Sequence, residues 1–548
     1  MPSSTELLLC APSVPISLSI PPITSYFSLS SRSSPCMAAS SKPAPAPSHS
    51  FSHLSSELLA LICEQLRDID ARSLVSVRLV SKRLDAIATP IAYRFLTLNE
   101  RLVAPDAERR YPHALYHISL FTNHIVIPSN LDPEGISGIL SRIRRLNSVC
   151  WRYIDGATQA AGLWLPSDLA NLGNINPSNF ELHVENLPLR DFDSNLRDAY
   201  TRAIPARLLT SLKLANPTPA LSTRLNSLKR LLVETPQLKT LHFEDRGQGT
   251  SFAFSPGDRM PALVNLLLRS YDWCHTADDV RKHWDFSRIK SLELVSIPVF
   301  HFLRSVSFED FSHLHTLHVE DYSAHLPDKR EDATAGLYLL VKNNIRALEV
   351  LNITCHTRLF PVDAIMVHRH SLQVLRFRDH VGFSEDDQSC PTLCSSDLVL
   401  LSQRLKHVHT LELDMDVRMC DPAAFLKAVC LFPAVNTLTL HIQTMVRPFD
   451  DSAPDSDCDY NAAMSTFRWL IYEKGRTGAP TGWKRIVINV GGWRRVMVRR
   501  LGSAWRRQND MGIYAERCFV FERDLSGNMA VREEVCVENT SRGGSPDP

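Results

Sequence analysis

Two pairs of residues in this sequence carry side chains of the kinds that bind metal ions. Cys390 and Cys394 lie four positions apart, but no second cysteine pair and no suitably spaced histidine accompanies them. His368 and His370, with one residue between them, would point the same way on a strand and would still lack further ligands. The sequence therefore predicts structural or surface roles for these residues and no metal site.

An aspartate series near residue 455 imitates the opening of a calcium-binding loop. Asp455, Asp457 and Asp459 alternate as the first ligands of such a loop do, but Tyr460 stands where the loop needs glycine and Thr466 where it needs glutamate. The sequence also has no phosphate-cradling glycine loop, no G-x-S-x-G elbow and no H-E-x-x-H pair. We therefore expect no calcium, no cofactor and no enzymatic activity of this chain's own.

Composition favours a large intracellular binding protein. The chain has 548 residues, 44% of them hydrophobic, which is enough for two or more domains. Its 60 basic and 59 acidic residues leave a net charge of +1, so no global field attracts nucleic acid. The 13 cysteines form no paired framework, which predicts reduced thiols and a cytoplasmic or nuclear location. Since no run of eighteen apolar residues occurs, we expect no membrane partner.

Both ends of the chain are expected to lack a packed fold. Residues 1–50 are rich in serine and proline and contain no acidic residue after Glu6, which predicts a disordered tail, and a second one is expected over 536–548. The apolar stretch from Leu7 to Ile20 is interrupted by Pro12 and Pro15 and has no basic residue before it. We therefore do not interpret it as a signal peptide.

The segment that follows the first tail predicts two or three short helices that share one core. Its apolar residues repeat at three and four positions on both sides of a break at Asp68-Ile69-Asp70. Ser55 can cap the first helix, and Leu54 before it can pack onto Leu59 in the first turn. No single helix could bury all of these apolar residues, so the segment is interpreted as a docking module.

The order of these signals over residues 51–98 resembles an F-box, and the tail from Ala88 to Phe95 resembles that of fungal F-box proteins. Ser55 stands where the family usually has proline, and Leu84 where many members have tryptophan. The matching positions that the resemblance assigns to binding of a Skp-type adaptor are Leu54, Glu57, Leu58, Ile62, Leu66, Leu74, Val80 and Leu84.

An internal repeat organises the region after residue 180, in which one apolar residue is followed three positions later by a second and two positions later by a third. This is the strand pattern of leucine-rich repeats. The nine copies begin at Leu209, Leu238, Leu263, Ile289, Leu314, Leu348, Leu372, Val408 and Val435. Leu182-His183-Val184 is interpreted as an earlier degenerate strand, and Ile486-x-Ile488 as a last one.

The predicted fold class is α/β, with the short all-helical F-box followed by an irregular leucine-rich-repeat solenoid and a C-terminal cap. Residues 99–180 are assigned to a linker and N-terminal cap, residues 181–490 to the repeats and residues 491–535 to the C-terminal cap. One repeat of about 25 residues cannot bury its apolar side alone, whereas a row of repeats forms a continuous core and an outward strand surface.

That outward surface is the predicted target-binding face, because alternate strand residues point away from the core. For any one residue, a simple solvated role remains open. The candidate target-binding residues are His242, Glu244, Glu293, His318, Glu320, Arg376, Arg378, Glu412 and Asp414.

Long repeat steps are interpreted as charged, solvated loop insertions over Asp321–Gly336 and Asp379–Asp397. The C-terminal region combines arginine pairs between Trp493 and Arg507, in what could be one helix, with a Ser526-Gly527-Asn528 turn between two strand-like runs. We interpret it as a cap that covers the last repeat, although the arginines could instead bind a polyanion.

The resemblance implies a substrate adaptor of a Skp-cullin-F-box ubiquitin ligase. The F-box would bind the Skp-type adaptor and, through it, cullin, while the repeats would bind an unknown protein target. The alternative is an F-box and repeat scaffold in a complex that takes no part in ubiquitin transfer.

Overall fold

The computed structural model describes thirteen parts of the chain, and every structural statement below concerns these parts. They are residues 54–154, 169, 179–187, 204–214, 226–244, 250–321, 327–379, 392–416, 419–442, 458–478, 481–490, 517–523 and 529–535.

The described residues form a mixed α/β structure built on one sixteen-stranded sheet whose strands lie side by side in the order of the sequence. Strands β1 to β14 pair in parallel, and β15 and β16 pair in antiparallel. The strands are β1 (Phe95–Thr97), β2 (His124–Pro128), β3 (Ser148–Arg152), β4 (Glu181–Leu187), β5 (Leu209–Leu214), β6 (Thr240–Glu244), β7 (Asn265–Arg269), β8 (Ser291–Ile297), β9 (Thr316–Asp321), β10 (Val350–Cys355), β11 (Val374–Asp379), β12 (Thr410–Met415), β13 (Thr437–Ile442), β14 (Arg485–Val490), β15 (Arg517–Arg523) and β16 (Met529–Val535).

The strands bury alternate residues, as a half-covered sheet requires. In β6, Leu241 and Phe243 are buried while Thr240, His242 and Glu244 are partly exposed. Parallel pairing without a shift from β9 to β14 aligns the buried positions of neighbouring strands. One such row consists of Leu317, Leu351, Leu375, Leu411, Leu438 and Ile486. The main core therefore lies between one face of the sheet and the segments that connect its strands.

Short helices occupy many of these connecting segments. The helices are α1 (Ser56–Ile69), α2 (Ala71–Arg78), α3 (Lys82–Tyr93), α4 (Glu100–Val103), α5 (Ala107–Arg110), α6 (Pro112–Phe121), α7 (Pro133–Arg142), α8 (Asn226–Val233), α9 (Ala277–His283), α10 (Val299–Ser305), α11 (Pro327–Leu339), α12 (Asp363–Val367), α13 (Ser395–Arg404), α14 (Pro422–Cys430) and α15 (Cys458–Arg476). A π-helical segment, Leu340–Asn344, continues α11.

Helices α1 to α3 form a separate three-helix module with its own small core. Cys63, Leu74, Ala88 and Ile91 are buried together, apart from the core under the sheet. Helices α1 and α3 begin as the residue types predict, because the Ser55 Oγ accepts from the Leu58 N–H at 3.3 Å and the Ser81 side chain accepts likewise at the start of α3. The predicted helical segment is thus confirmed as three helices.

The repeat pattern predicted the strands well. All nine predicted copies end in a strand, from β5 to β13, and the two degenerate positions correspond to β4 and β14. The prediction was incomplete at the start, because β1, β2 and β3 lie in the region assigned to the first module and the linker. Leu98 also belongs to the core under the sheet, so the sheet begins before residue 98.

The solenoid that the sequence predicted is not what the structure shows. Its strands all hydrogen-bond into one open sheet, the connections between them differ in length and type, and the last two strands reverse direction. The expected hairpin near the C terminus is present, since β15 and β16 pair in antiparallel, whereas the turn at Ser526-Gly527-Asn528 lies outside the described residues.

From residue 327 the charged segment Asp321–Gly336 is helical and not a solvated loop, so the prediction was wrong for that part. Residues 327–336 begin helix α11, in which Ala333 and Leu337 are buried. The helix packs so closely on α10 that a Cβ added to Gly336 would lie 3.2 Å from the Leu303 Cδ1. Small side chains on the packed face allow this approach, which explains why the sequence lacked an aliphatic stripe.

Other predictions concern residues outside the described parts. Both predicted tails and most of the expected loop over Asp379–Asp397 lie there. So do Asp455 and Asp457 of the calcium-loop imitation, and the arginine-rich segment from Trp493 to Arg507.

Helix α11 offers a matched test of its structural role. Leu337 is 2% exposed and Leu339 is 46% exposed. We expect Leu337→Ala to lower the free energy of unfolding by roughly 2–5 kcal/mol, because it removes buried methyl groups and leaves a cavity. Leu339→Ala should change it by less than about 0.5 kcal/mol. Chemical denaturation of both variants measures the difference, and equal effects would show that α11 does not pack as described.

Candidate docking surfaces

The three-helix module exposes an unusual number of large apolar side chains. Leu79 is 85% exposed, Ile69 82% and Val80 71%. Four of the exposed side chains, at positions i, i+3, i+4 and i+11 of α1, share one face of that helix. The full set is Leu58, Leu61, Ile62, Ile69, Val75, Leu79 and Val80. We call these seven residues the apolar module surface.

The structure places the predicted adaptor residues in three different environments. Leu58, Ile62 and Val80 belong to the apolar module surface, and Glu57 is exposed beside it in the first turn of α1. Leu54, Leu66 and Leu84 are half-buried. Leu74 is 1% exposed and lies in the core of the module, so its side chain does not belong to the apolar module surface.

Sequence reasoning missed Leu61, Ile69, Val75 and Leu79. The signal was present in α1, where apolar residues occupy positions around more of the helix than one small core can cover. The spacing alone could not tell which side of the helix faces that core. The position of α1 relative to α3 decides which side of α1 is buried, since Cys63 and Leu74 pack with Ala88 and Ile91.

A dense joint connects the module to the sheet. Helix α3 is followed directly by β1, and Arg94 forms an ion pair of 2.9 Å with Glu64 of α1. The Phe95 ring stacks on the His124 ring with 4.4 Å between centroids, and the Arg67 guanidinium lies 4.7 Å from the centre of the Phe95 ring. The module is therefore held against the start of the sheet by side chains from α1 and β2.

The predicted target-binding residues lie on the uncovered face of the sheet, but most of them bind each other. Ion pairs join Glu244 to Arg269 at 3.5 Å, Arg376 to Glu412 at 3.4 Å and Arg378 to Asp414 at 3.1 Å. His318 contacts both Glu293 and Glu320 at 3.3 Å. Among the nine predicted residues, His242 alone has no ion pair with a described residue. Opposite charges on neighbouring strands are thus paired at several places along this face.

Two side chains on this face have strongly shifted pKa values. Burial by itself lowers the pKa of the His318 imidazole, but its hydrogen bonds to Glu293 and Glu320 outweigh burial and raise that pKa to about 9. Burial also opposes the charged form of Glu412 and by itself raises the pKa of that carboxyl. The hydrogen bond from His441 at 2.8 Å and the nearby positive charges outweigh burial and lower the pKa to about 2. His318 is therefore cationic and Glu412 anionic at neutral pH.

The candidate metal ligands have other roles or lie apart. His368 is buried after α12, where its Nδ1 accepts from the Leu348 N–H at 3.3 Å and its Nε2 lies 2.9 Å from the Val341 carbonyl oxygen. His370 is exposed. Cys394 is exposed with its Sγ 3.0 Å from the Ser396 Oγ, and Cys390 lies outside the described residues. No group of three potential ligands comes together within the described parts.

Across the same parts of the chain, no helix combines the length and apolar character needed to cross a bilayer.

The His318 ion pairs make the stability of the chain depend on pH. The folded pKa is raised above the unfolded value of about 6.5, so the contribution is fully present below that pH and is lost as the pH rises through about 9. We expect His318→Gln to reduce the free energy of unfolding by up to about 3 kcal/mol at about pH 6 and by much less at about pH 10.

Chemical denaturation of the wild type and the variant at both pH values measures this difference. His407→Gln is the control, because His407 is exposed before β12 and its replacement should have the same small effect at both pH values. A pH-independent effect of His318→Gln would contradict the assigned charge.

No protein-family model matches this chain, and no curated protein matches it in sequence.

Proposed function

We propose that this chain is the substrate adaptor of a Skp-cullin-F-box ubiquitin ligase, with an F-box in residues 54–94 and a target-binding, leucine-rich-repeat-like sheet after it. The observation that carries the proposal is the apolar module surface, which includes three of the positions at which the sequence resembles an F-box. Leu58, Ile62 and Val80 are matching positions and are exposed. A small soluble module gains nothing by exposing seven large apolar side chains unless a partner covers them.

The composition of this surface suits a protein partner. Leu79 and Ile69 are more than four-fifths exposed, so a partner could remove most of their area from water. Burial of an aliphatic side chain contributes about 1.5–3 kcal/mol, and a few such anchors dominate the affinity of typical interfaces. Glu57 beside the surface would add a charged rim.

The joint between module and sheet supports the adaptor role. Helix α3 leads directly into β1, and the Arg67 guanidinium of α1 lies 4.7 Å from the centre of the Phe95 ring of β1, so no flexible linker separates the two parts. A target bound to the sheet would then stand at a fixed distance and orientation from the adaptor bound to the module. In this proposal the chain contributes proximity and performs no chemistry itself.

The uncovered face of the sheet is the proposed target surface. It extends over many strands, and its polar side chains are already arranged in ion pairs. A partner that supplies matching charges could join these pairs, whereas one with the wrong charges would leave partly buried groups without partners. The face would therefore discriminate between partners by the arrangement of their charges.

An affinity purification tests the proposal. We expect a Skp-type adaptor and cullin to co-purify with the full chain and to be lost from Leu58→Asp, Ile62→Asp, because two charges would enter an apolar interface. The control is Leu339→Asp, Leu359→Asp, which charges two exposed apolar positions outside the module. Mass spectrometry identifies the co-purifying proteins, and circular dichroism checks that both variants are folded.

The outcomes separate the two candidate functions. Adaptor and cullin with the full chain and the control, but not with the module variant, support the ligase role. Adaptor without cullin favours the scaffold outside ubiquitin transfer. Absence of the adaptor from all three preparations would overturn the F-box assignment.

A further inference from the structure

A polar cavity of about 380 Å³ opens on the uncovered face of the sheet between β4 and β8. Its floor is a row of small side chains that the strand register places next to one another, namely Ser211, Thr240, Asn265 and Ser291. Neighbouring strands lie about 4.8 Å apart, so this row extends over about 14 Å. Longer side chains stand around it. The rim includes Glu181, His183, Lys213, Lys239 and His242.

Among the residues that line the cavity, Lys213 and Lys239 outnumber Glu181 by one charge. The Lys239 Nζ lies 2.7 Å from the Glu181 Oε1. Glu185 lies beside the cavity and is shared by two cations, with its Oε1 3.0 Å from the Lys213 Nζ and its Oε2 3.0 Å from the Arg152 Nε. Three cations therefore share two carboxylates.

Hydrogen-bond donors also exceed acceptors at the cavity. Each ammonium group has three N–H donors, and the ion pairs described use one from each lysine. The His242 ring and the hydroxyl groups of Ser211 and Ser291 have no side-chain partner among the described residues. His183 has one contact, with its Nε2 3.8 Å from the Glu181 Oε2. These groups could all turn a donor toward a ligand.

The two imidazoles are poised to gain a proton. Burial lowers the pKa of His183, and although Glu181 and Glu185 oppose it the net shift is downward. Burial also lowers the pKa of His242 and the positive charge of Lys213 lowers it further, and this outweighs the opposing effect of Glu293 and Glu185. An anion placed between them would favour their charged forms and so raise both pKa values.

We propose that this cavity binds an oxyanion, either a carboxylate or a phosphoryl group. Spare N–H groups of Lys213 and Lys239 would form charge-assisted hydrogen bonds with its oxygens. Hydroxyl groups of the floor would complete the contacts, and His183 and His242 would add donors as they take up protons. The small floor side chains leave the space that the group needs.

The source of the oxyanion is a side chain of a bound peptide. The cavity is shallow and open along the sheet rather than closed around a small molecule, so the rest of such a peptide could lie across the neighbouring strands. This last step rests on the proposed function of the face, whereas anion binding itself does not. If the adaptor failed to bind, the proposal that the cavity binds an anion would therefore be unaffected.

Nuclear magnetic resonance of the full chain with carbon-13-labelled histidine tests the site. The pKa of each imidazole is measured in chloride, in inorganic phosphate and in acetate at one ionic strength, with His183→Gln and His242→Gln used to assign the signals. We expect phosphate, acetate or both to raise the pKa of His183 and His242 by at least about 0.5 unit while exposed His407 stays unchanged. A response to phosphate alone indicates a phosphoryl group, and a response to both includes carboxylates.

The double variant Lys213→Met, Lys239→Met should lose this anion response. The control Lys406→Met, which replaces an exposed lysine before β12, should keep it. The His318 signal reports in each variant whether the sheet is folded, because its raised pKa depends on Glu293 and Glu320. An equal response in the double variant, or no response of His183 and His242 to either anion in the wild type, would overturn the site.

Discussion

Parallel pairing, which keeps a constant register from β9 to β14, is the constraint on which the rest of this molecule depends. It aligns one buried residue of each strand with a buried residue of the next, as in Leu351, Leu375 and Leu411. The same register decides which polar side chains become neighbours on the opposite face. A shift of one residue in any strand would move its apolar residues into water and its charges into the core. Packing and the chemistry of the outer face are therefore fixed together.

The strands could be predicted because their repeat is a direct record of this register. Each copy carries two inward residues two positions apart, and in eight of the nine copies the third apolar residue lies before the strand, whereas Leu209 begins β5. The same spacing is present in Leu146, Val149 and Trp151, all buried, so β3 follows the rule with a tryptophan in place of an aliphatic residue. The pattern already admitted phenylalanine, as in Phe243 and Phe377, and extending it to tryptophan would have found β3. Strand β1 has only three residues, which is too short for any periodicity.

Helix α11 and the partners of the charged residues could not be predicted in this way. The helix begins in a charged run and buries small residues, so its sequence lacks the apolar stripe that marks most surface helices. The ion pairs between neighbouring strands of the target-binding face join residues 25 to 36 positions apart, as in His318 with Glu293 and Arg378 with Asp414. Sequence shows that such residues point outward. Only the pairing of strands shows which of them meet.

The pairing also changes where recognition is expected on the sheet. From β8 to β13 the outer charges satisfy one another, since Glu412 contacts both Arg376 and His441 and His318 lies between two glutamates. The side chains of His318, Glu412 and His441 are largely buried, so a partner would have to break existing ion pairs before it could bind their charges. Between β4 and β8 the balance differs, because small side chains open a cavity and its lysines keep unused donors. A partner would gain most where the face is not already self-satisfied, and that place is the cavity rather than the conspicuous charges.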